Sequence, residues 1–498
     1  MNSDLTVNGA TVEANAGRNF TAWALVLLAG LAAYRALALK LAGLPLSFDE
    51  AQYWGWSRAL DWGYFSKPPM IAAVIRAATA VCGDGEVCVR APAYIGLAFT
   101  AWFVFLAVSR LHGRRTGFVT ALAFATLPIA SFTSFAVTAD VPLFLFWAIA
   151  LYAFIRALQD DRWSWWLVTG LAGGLGLQSK YTMGVFAVSV LGYLLWERGE
   201  RARLRSPKLW VAALVAFAVF FPNLAWNAAH DFPTFRHTSE ISQLDRTLVH
   251  PGQFLHFTVG QLGVFGPILG VVAFVAVVHA FRKVADQRAR LWVAFTLPFL
   301  AVIGLQALLA RANLNWAAPA TVAGTALAVV YILERGRTRL LAAAIGVNVA
   351  LGLVLYHVVP ASEALGLPPK LDATLRLKGW PELGAEVREV LAKHPGARFV
   401  GYQRSEIAKM LYYARPLTAG ALVWNPEGRI SDHYRLTADV ATAKQGPFVI
   451  GTGDDRFGAL ARDFRGLVRL GVVESATCRG CKRSLHLYYA EAFDGYHR

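Results

Sequence analysis

Long apolar runs, separated by short polar and basic loops, dominate the first 360 residues. They cover roughly residues 20–42, 91–110, 117–137, 141–157, 163–179, 183–197, 209–227, 255–281, 291–310, 317–333 and 339–358. Most approach the ~20 residues that a helix needs to cross a bilayer. The pattern predicts an all-α polytopic membrane domain over residues 20–359, with about eleven transmembrane helices. Residues 1–19 are polar and read as a disordered cytoplasmic tail. After Pro360 the pattern changes. "ARFVGYQ", "GPFVIGTG", "LVRLGVVES" and "RSLHLYYAEAF" read as strands, and "WPELGAEVREVLAKH", "SEIAKMLYYA" and "RFGALARDFRG" as helices. A small α/β domain is therefore expected over residues 360–498.

Composition supports this reading. The chain is 56% hydrophobic and only 16% charged, against roughly 25% charged in soluble domains. The net charge of +16 would suit nucleic acid, but its placement argues for topology instead. Basic residues crowd alternate loops, at Arg110, Arg114 and Arg115, from Arg198 to Lys208, and at Arg335, Arg337 and Arg339. The positive-inside rule makes those loops cytoplasmic. The other loops, and everything after Pro360, then face the opposite side of the membrane.

The chemistry gathers on that opposite side. "FDEAQYWGWSRALDWGYFSKPPM" follows the first span and carries Asp49, Glu50, Tyr64 and Lys67. Its flanks read as short interfacial helices, where aromatic rings prefer to sit. Paired carboxylates can simply end a span. Charge near hydrocarbon is costly, however, and tends to face a cavity and a partner. A carboxylate could accept the proton of an attacking hydroxyl while a lysine neutralises a leaving phosphate.

This stretch resembles the first outer loop of the bacterial membrane glycosyltransferases related to the protein O-mannosyltransferases. The lipid A aminoarabinose transferase and the rhizobial galacturonosyltransferases share the pattern. "TADVPLFLFW", "GLGLQSKYTMG" and "NLNWAAPA" follow in the same order. The resemblance implies a family-C (GT-C) glycosyltransferase fold in the bacterial inner membrane, with a periplasmic active site; it does not extend to the C-terminal domain, which the charge pattern alone places on the same side. It implies a polyprenyl-phosphate sugar donor and transfer with inversion. The acceptor would be lipid A or lipopolysaccharide core; another envelope glycan or a protein is the alternative, and a lipid-linked sugar flippase the rival class. By the same resemblance Asp49 is the catalytic carboxylate with Glu50 beside it, and Lys67, Tyr64 and a loop arginine bind donor phosphate. Arg236 is preferred over Arg246 for that last role.

Asp140 either orients the acceptor or caps a helix, since relatives carry an acidic pair where this chain has Ala139–Asp140. Lys180 and Tyr181 adjoin the substrate site, or Lys180 snorkels to the interface. Asn315 and Trp316 bind substrate, or the tryptophan anchors the membrane surface. No cofactor or metal is expected, because His237, His250 and His256 fit no tight ligand spacing. "GTGDD" reads as a turn. Cys82 and Cys88 bracket a glycine-rich turn on the oxidising side and are expected to pair, with two unpaired thiols as the alternative. Cys478 and Cys481 are less suited to pairing.

Overall fold

The computed structural model describes residues 4–242, 249–282, 286–443 and 446–497. Among the described residues six helices are long and apolar enough to cross a membrane, or up to eight if each of two bent pairs forms one span. The chain is thus a multi-pass membrane protein. The stretches expected as spans at 163–179 and 317–333 form 15-residue helices, Trp163–Leu177 and Ala320–Glu334. The run at 255–281 is bent by 113° between Pro251–Phe265 and Pro267–Phe281. Its hinge is Gly266, with φ +79, followed by a proline that can donate no helical hydrogen bond. The first helix begins at Asp4, inside the expected tail, and its apolar part is Asn19–Ala42.

Small residues let the helices approach closely. A Cβ at Gly170 would lie 2.2 Å from the Ala212 carbonyl oxygen, and one at Gly174 2.7 Å from that of Ala216. This is the small-xxx-small packing of membrane helices. It locks Trp163–Leu177 onto Pro207–Ala229 and so fixes where Lys180, just beyond, emerges.

At one end of the bundle the basic loops are tied together. Arg110 pairs with Asp160 (3.2 Å), Arg203 and Lys208 with Asp161 (both 2.8 Å), and Arg290 with Glu197 (2.6 Å). The short helices Phe48–Arg58 and Met70–Cys82 belong to the loop after the first span. A disulfide joins Cys82 to Cys88, with Cα atoms 5.9 Å apart. Cys478 and Cys481, expected as the poorer pair, are bridged as well.

The C-terminal region holds strands β1 (Arg398–Gly401), β2 (Leu422–Val423), β3 (Phe448–Thr452), β4 (Phe464–Arg465), β5 (Val468–Cys478), β6 (Cys481–Ala490) and β7 (Ala492–Phe493). Five form one sheet in the order β2-β1-β3-β6-β5, while β4 pairs with β7. β1 runs parallel to β2 and β3, and β6 antiparallel to β3 and β5. "GTGDD" is the end of β3 and the bend after it.

This region packs against the loop after the first span through its helix Arg404–Tyr413, which meets Phe48–Arg58. The Tyr413 hydroxyl accepts from the Leu46 amide (2.7 Å), and Tyr412 donates to the Asp84 carbonyl (2.5 Å). Lys409 donates to the Leu46 carbonyl. Tyr412 also meets Trp54 edge to face at 5.0 Å. Buried aromatic contacts and satisfied polar groups of this kind make a specific interface.

Candidate active site

The helix Phe48–Arg58 is started by a capping box. Ser47 accepts from the Glu50 amide, and Glu50 accepts from the Ser47 amide. Reciprocal caps of this type satisfy orphan donors at a helix start. The box buries Glu50 against Arg90, whose Nε and a terminal nitrogen donate to its two oxygens at 2.8 and 3.0 Å. The Val137 amide adds a further donor at 3.1 Å. Burial pushes the Glu50 carboxyl up, but the Arg90 charge and these hydrogen bonds more than offset it and hold it below its usual range. Glu50, expected beside the catalytic carboxylate, is therefore engaged within the fold and does not line the cavity described next.

Asp49 turns the other way. It opens onto a cavity of about 550 Å³, whose walls include Tyr53, Lys67, Asp140, Lys180, Tyr181, His237, Asn315, Trp316 and Arg404. Six of the expected site residues besides Asp49 meet here: Lys67, Asp140, Lys180, Tyr181, Asn315 and Trp316. A larger cavity of about 780 Å³ lies between Ala42–Pro45 and Cys478. The chemistry is better placed in the smaller one, because the lysine of the larger, Lys378, is taken up by Glu363 (2.6 Å) and Asp372 (3.0 Å).

Lys67 sits on a braced loop. The Tyr64 amide donates to the Lys67 carbonyl at 3.1 Å, and Thr234 donates to the Tyr64 carbonyl at 2.8 Å. Lys67 Nζ donates to the Ser66 carbonyl at 2.9 Å. Burial first, then the neighbouring charge of Lys180, lowers the Lys67 ammonium to about 8. Among the described residues Lys67 makes no ion pair. Tyr64, expected at the donor phosphate, instead lies flat under Trp56, with centroids 4.3 Å apart and planes 3° from parallel. Its hydroxyl donates to main-chain carbonyls of Trp56 and Ala59. It supports the Lys67 loop from below and is not on the cavity wall. Arg236 is exposed on the helix Pro233–Ser242 and also lies outside the wall. The cavity side of that helix presents His237, which burial and the charges of Lys67 and Arg404 push down to about 4. Arg246 falls outside the described residues.

Asp140 is the first residue of Asp140–Asp160, and its two carboxylate oxygens bond side chains of other segments. Lys180 donates to one of its oxygens at 2.7 Å and Asn315 to the other at 3.0 Å. Lys180 is thereby held in the cavity. Tyr181 donates to Asn223 (2.9 Å), accepts from Asn227 (3.2 Å) and stacks on Phe235 at 4.7 Å.

Arg404 completes the wall from the C-terminal region. It donates to Asp49 and, through Nε, to Gln52, and lies 5.0 Å over the Phe48 ring. Nothing in the sequence singled it out from other helix-start arginines. Among the described residues no three His, Cys, Asp or Glu side chains converge as metal ligands do. The assembled cavity offers a solvent-facing carboxylate beside three cations, an arrangement suited to an anionic substrate and a hydroxyl that must lose a proton.

Residues 66–226 match the dolichyl-phosphate-mannose-protein mannosyltransferase family. The lipid A galacturonosyltransferase RgtD of Rhizobium johnstonii is 32% identical over 424 residues, 84% of this chain and 88% of that protein. The undecaprenyl phosphate-alpha-4-amino-4-deoxy-L-arabinose arabinosyl transferase of Erwinia tasmaniensis is 27% identical over 239 residues, 44% of this chain and 42% of that one. The crystal structure of ArnT from Cupriavidus metallidurans bound to undecaprenyl phosphate shares the fold. Its TM-score is 0.66 at 17% identity, covering 94% of this chain and 98% of that one. The chain thus belongs to the GT-C membrane glycosyltransferases related to the protein O-mannosyltransferases, alongside the rhizobial galacturonosyltransferases and the aminoarabinose transferases.

Proposed function

We propose that this protein transfers galacturonate from a polyprenyl-phosphate donor to lipid A, on the periplasmic face of the bacterial inner membrane. The observation that carries the reading is the cavity in which Asp49 and Lys67 meet. The kinship with a lipid A galacturonosyltransferase supports the choice of sugar and acceptor. Residues 20–359 form the catalytic membrane domain, and residues 360–498 a periplasmic domain that closes over it. The tied cluster of basic loops at one end supports this orientation, since such loops stay in the cytoplasm.

In this reading Asp49 accepts the proton of an acceptor hydroxyl as its oxygen bonds to the anomeric carbon. The bond from that carbon to the phosphate oxygen breaks on the opposite face, and the pair of electrons leaves with the polyprenyl phosphate. Configuration inverts. Lys67 neutralises the phosphate, helped by partial exclusion of water. The Asp140–Lys180–Asn315 cluster orients the sugar. Glu50 and Tyr64 are positioning residues, the first for Asp49 and the second for Lys67.

Mass spectrometry of lipid A from a strain lacking the gene, and from that strain complemented, tests the reading. Loss and return of one hexuronate on lipid A is expected. Unchanged lipid A, with a hexuronate missing from another envelope glycan, would move the acceptor elsewhere.

A further inference from the structure

Two ion pairs share the cavity, and they are not equally closed. Lys180–Asp140 is buried, with side chains 19% and 9% exposed, and Asn315 holds the second carboxylate oxygen. Arg404–Asp49 is open, at 30% and 46%. Its guanidinium is held through Nε by Gln52 and by the face of Phe48, and Arg404 lines the cavity. Arg404 bonds one of the two Asp49 oxygens, and its positive charge beside the carboxylate opposes the arrival of an acceptor proton there. A second anion in the donor, distinct from the phosphate beside Lys67, could draw Arg404 away and leave Asp49 available. Guanidinium groups bind carboxylates in a planar, often bidentate geometry that an ammonium cannot copy.

We propose that Arg404 is the specificity-determining residue that binds the carboxylate of the donor sugar, and that a donor without this group leaves Arg404 seated on Asp49. The proposal rests on the reading of the donor as a uronate. It gives the C-terminal region a role in selecting substrate, by supplying one residue to a site otherwise built by the membrane domain.

The test compares kcat/KM of the purified full-length protein for undecaprenyl phosphate galacturonate and for the matching galactose donor. Wild type should prefer the uronate by about 100-fold or more, because a site built to bond a polar group rejects an analogue lacking it. In Arg404→Gln that ratio should fall at least about 10-fold, the scale of a lost hydrogen bond to a charged group. Arg404→Lys should retain part of the preference; it keeps the charge and serves as the folding control. An unchanged ratio in both variants overturns the proposal. So does a matching loss of affinity for bare undecaprenyl phosphate in Arg404→Gln, which would put the guanidinium on the phosphate. A wild type that does not prefer the uronate would overturn the donor reading itself, before any variant is considered.

Discussion

Asp49 and Glu50 are neighbours in sequence and opposites in the fold. Successive helical residues point about 100° apart. One carboxylate therefore opens onto the cavity while the other is driven into the junction of the first loop with Arg90 and Val137. Asp49 is half exposed and paired with Arg404 of the C-terminal region. Glu50 is 1% exposed, and its oxygens receive donors from Arg90, Ser47 and Val137. The contrast teaches that a buried, fully satisfied carboxylate organises a site, whereas a carboxylate with an exchangeable partner can serve its chemistry. The same division separates Tyr64, stacked beneath Trp56, from Lys67 on the wall above it.

The largest expected effect comes from Asp49→Asn. It removes the base and keeps the shape, so kcat should fall by roughly 10²–10⁴ while detergent-extracted protein elutes as wild type. Turnover within a few-fold of wild type would erase the distinction between the two carboxylates.

Glu50→Gln should act on stability instead. Removing one partner of a buried pair costs about 3–5 kcal/mol, because Arg90 is left charged and uncompensated. A clearly lower Tm and poorer yield are expected, with surviving protein retaining donor binding. A fully stable variant lacking only turnover would make Glu50 chemical after all.

Within the cavity, Lys180→Met leaves Asp140 buried beside Asn315 alone and should lower kcat/KM by roughly 10-fold or more, the scale of a charge-assisted hydrogen bond. Adding Asp140→Asn should recover part of that loss, since coupled partners are not additive. Strictly additive losses would show that the two act separately.

The smallest effect is graded and set by pH. Burial lowers Lys67 to about 8, so its charged form prevails below that value and is lost as pH rises through it. Donor kcat/KM should therefore decline above about pH 8, approaching tenfold per unit, the slope of a single essential proton. Lys67→Arg should remove this decline, because a guanidinium stays protonated there. The same alkaline decline in the arginine variant would assign it to another group.

Much of this organisation was legible in the residues. The apolar runs set the membrane class, since twenty-residue hydrophobic stretches have few other stable fates. All four strands and all three helices expected after Pro360 correspond to elements found there, while the two-residue strands β2 and β4 were not anticipated, because alternating and helical periodicities are local properties that very short strands do not show. Asp49 and Lys67 stood out because one short motif carries both. The single span expected at 255–281 was not legible as a sharp bend, as hydropathy averages over a glycine–proline hinge. Tyr64 and Arg236 lie off the cavity wall for another reason: a residue type can be read from sequence, but the direction of its side chain depends on what packs against it.

Sequence alone determined that the chain is a multi-pass membrane protein with a carboxylate–lysine motif in the loop after its first span, because hydropathy and motif spacing are written into consecutive residues. Tertiary structure alone decided that Glu50 is buried, that Asp140 holds Lys180 and Asn315, and that Arg404 reaches Asp49 from 355 positions away. Burial and ion pairing are set by which distant segments meet, and no local pattern records that meeting.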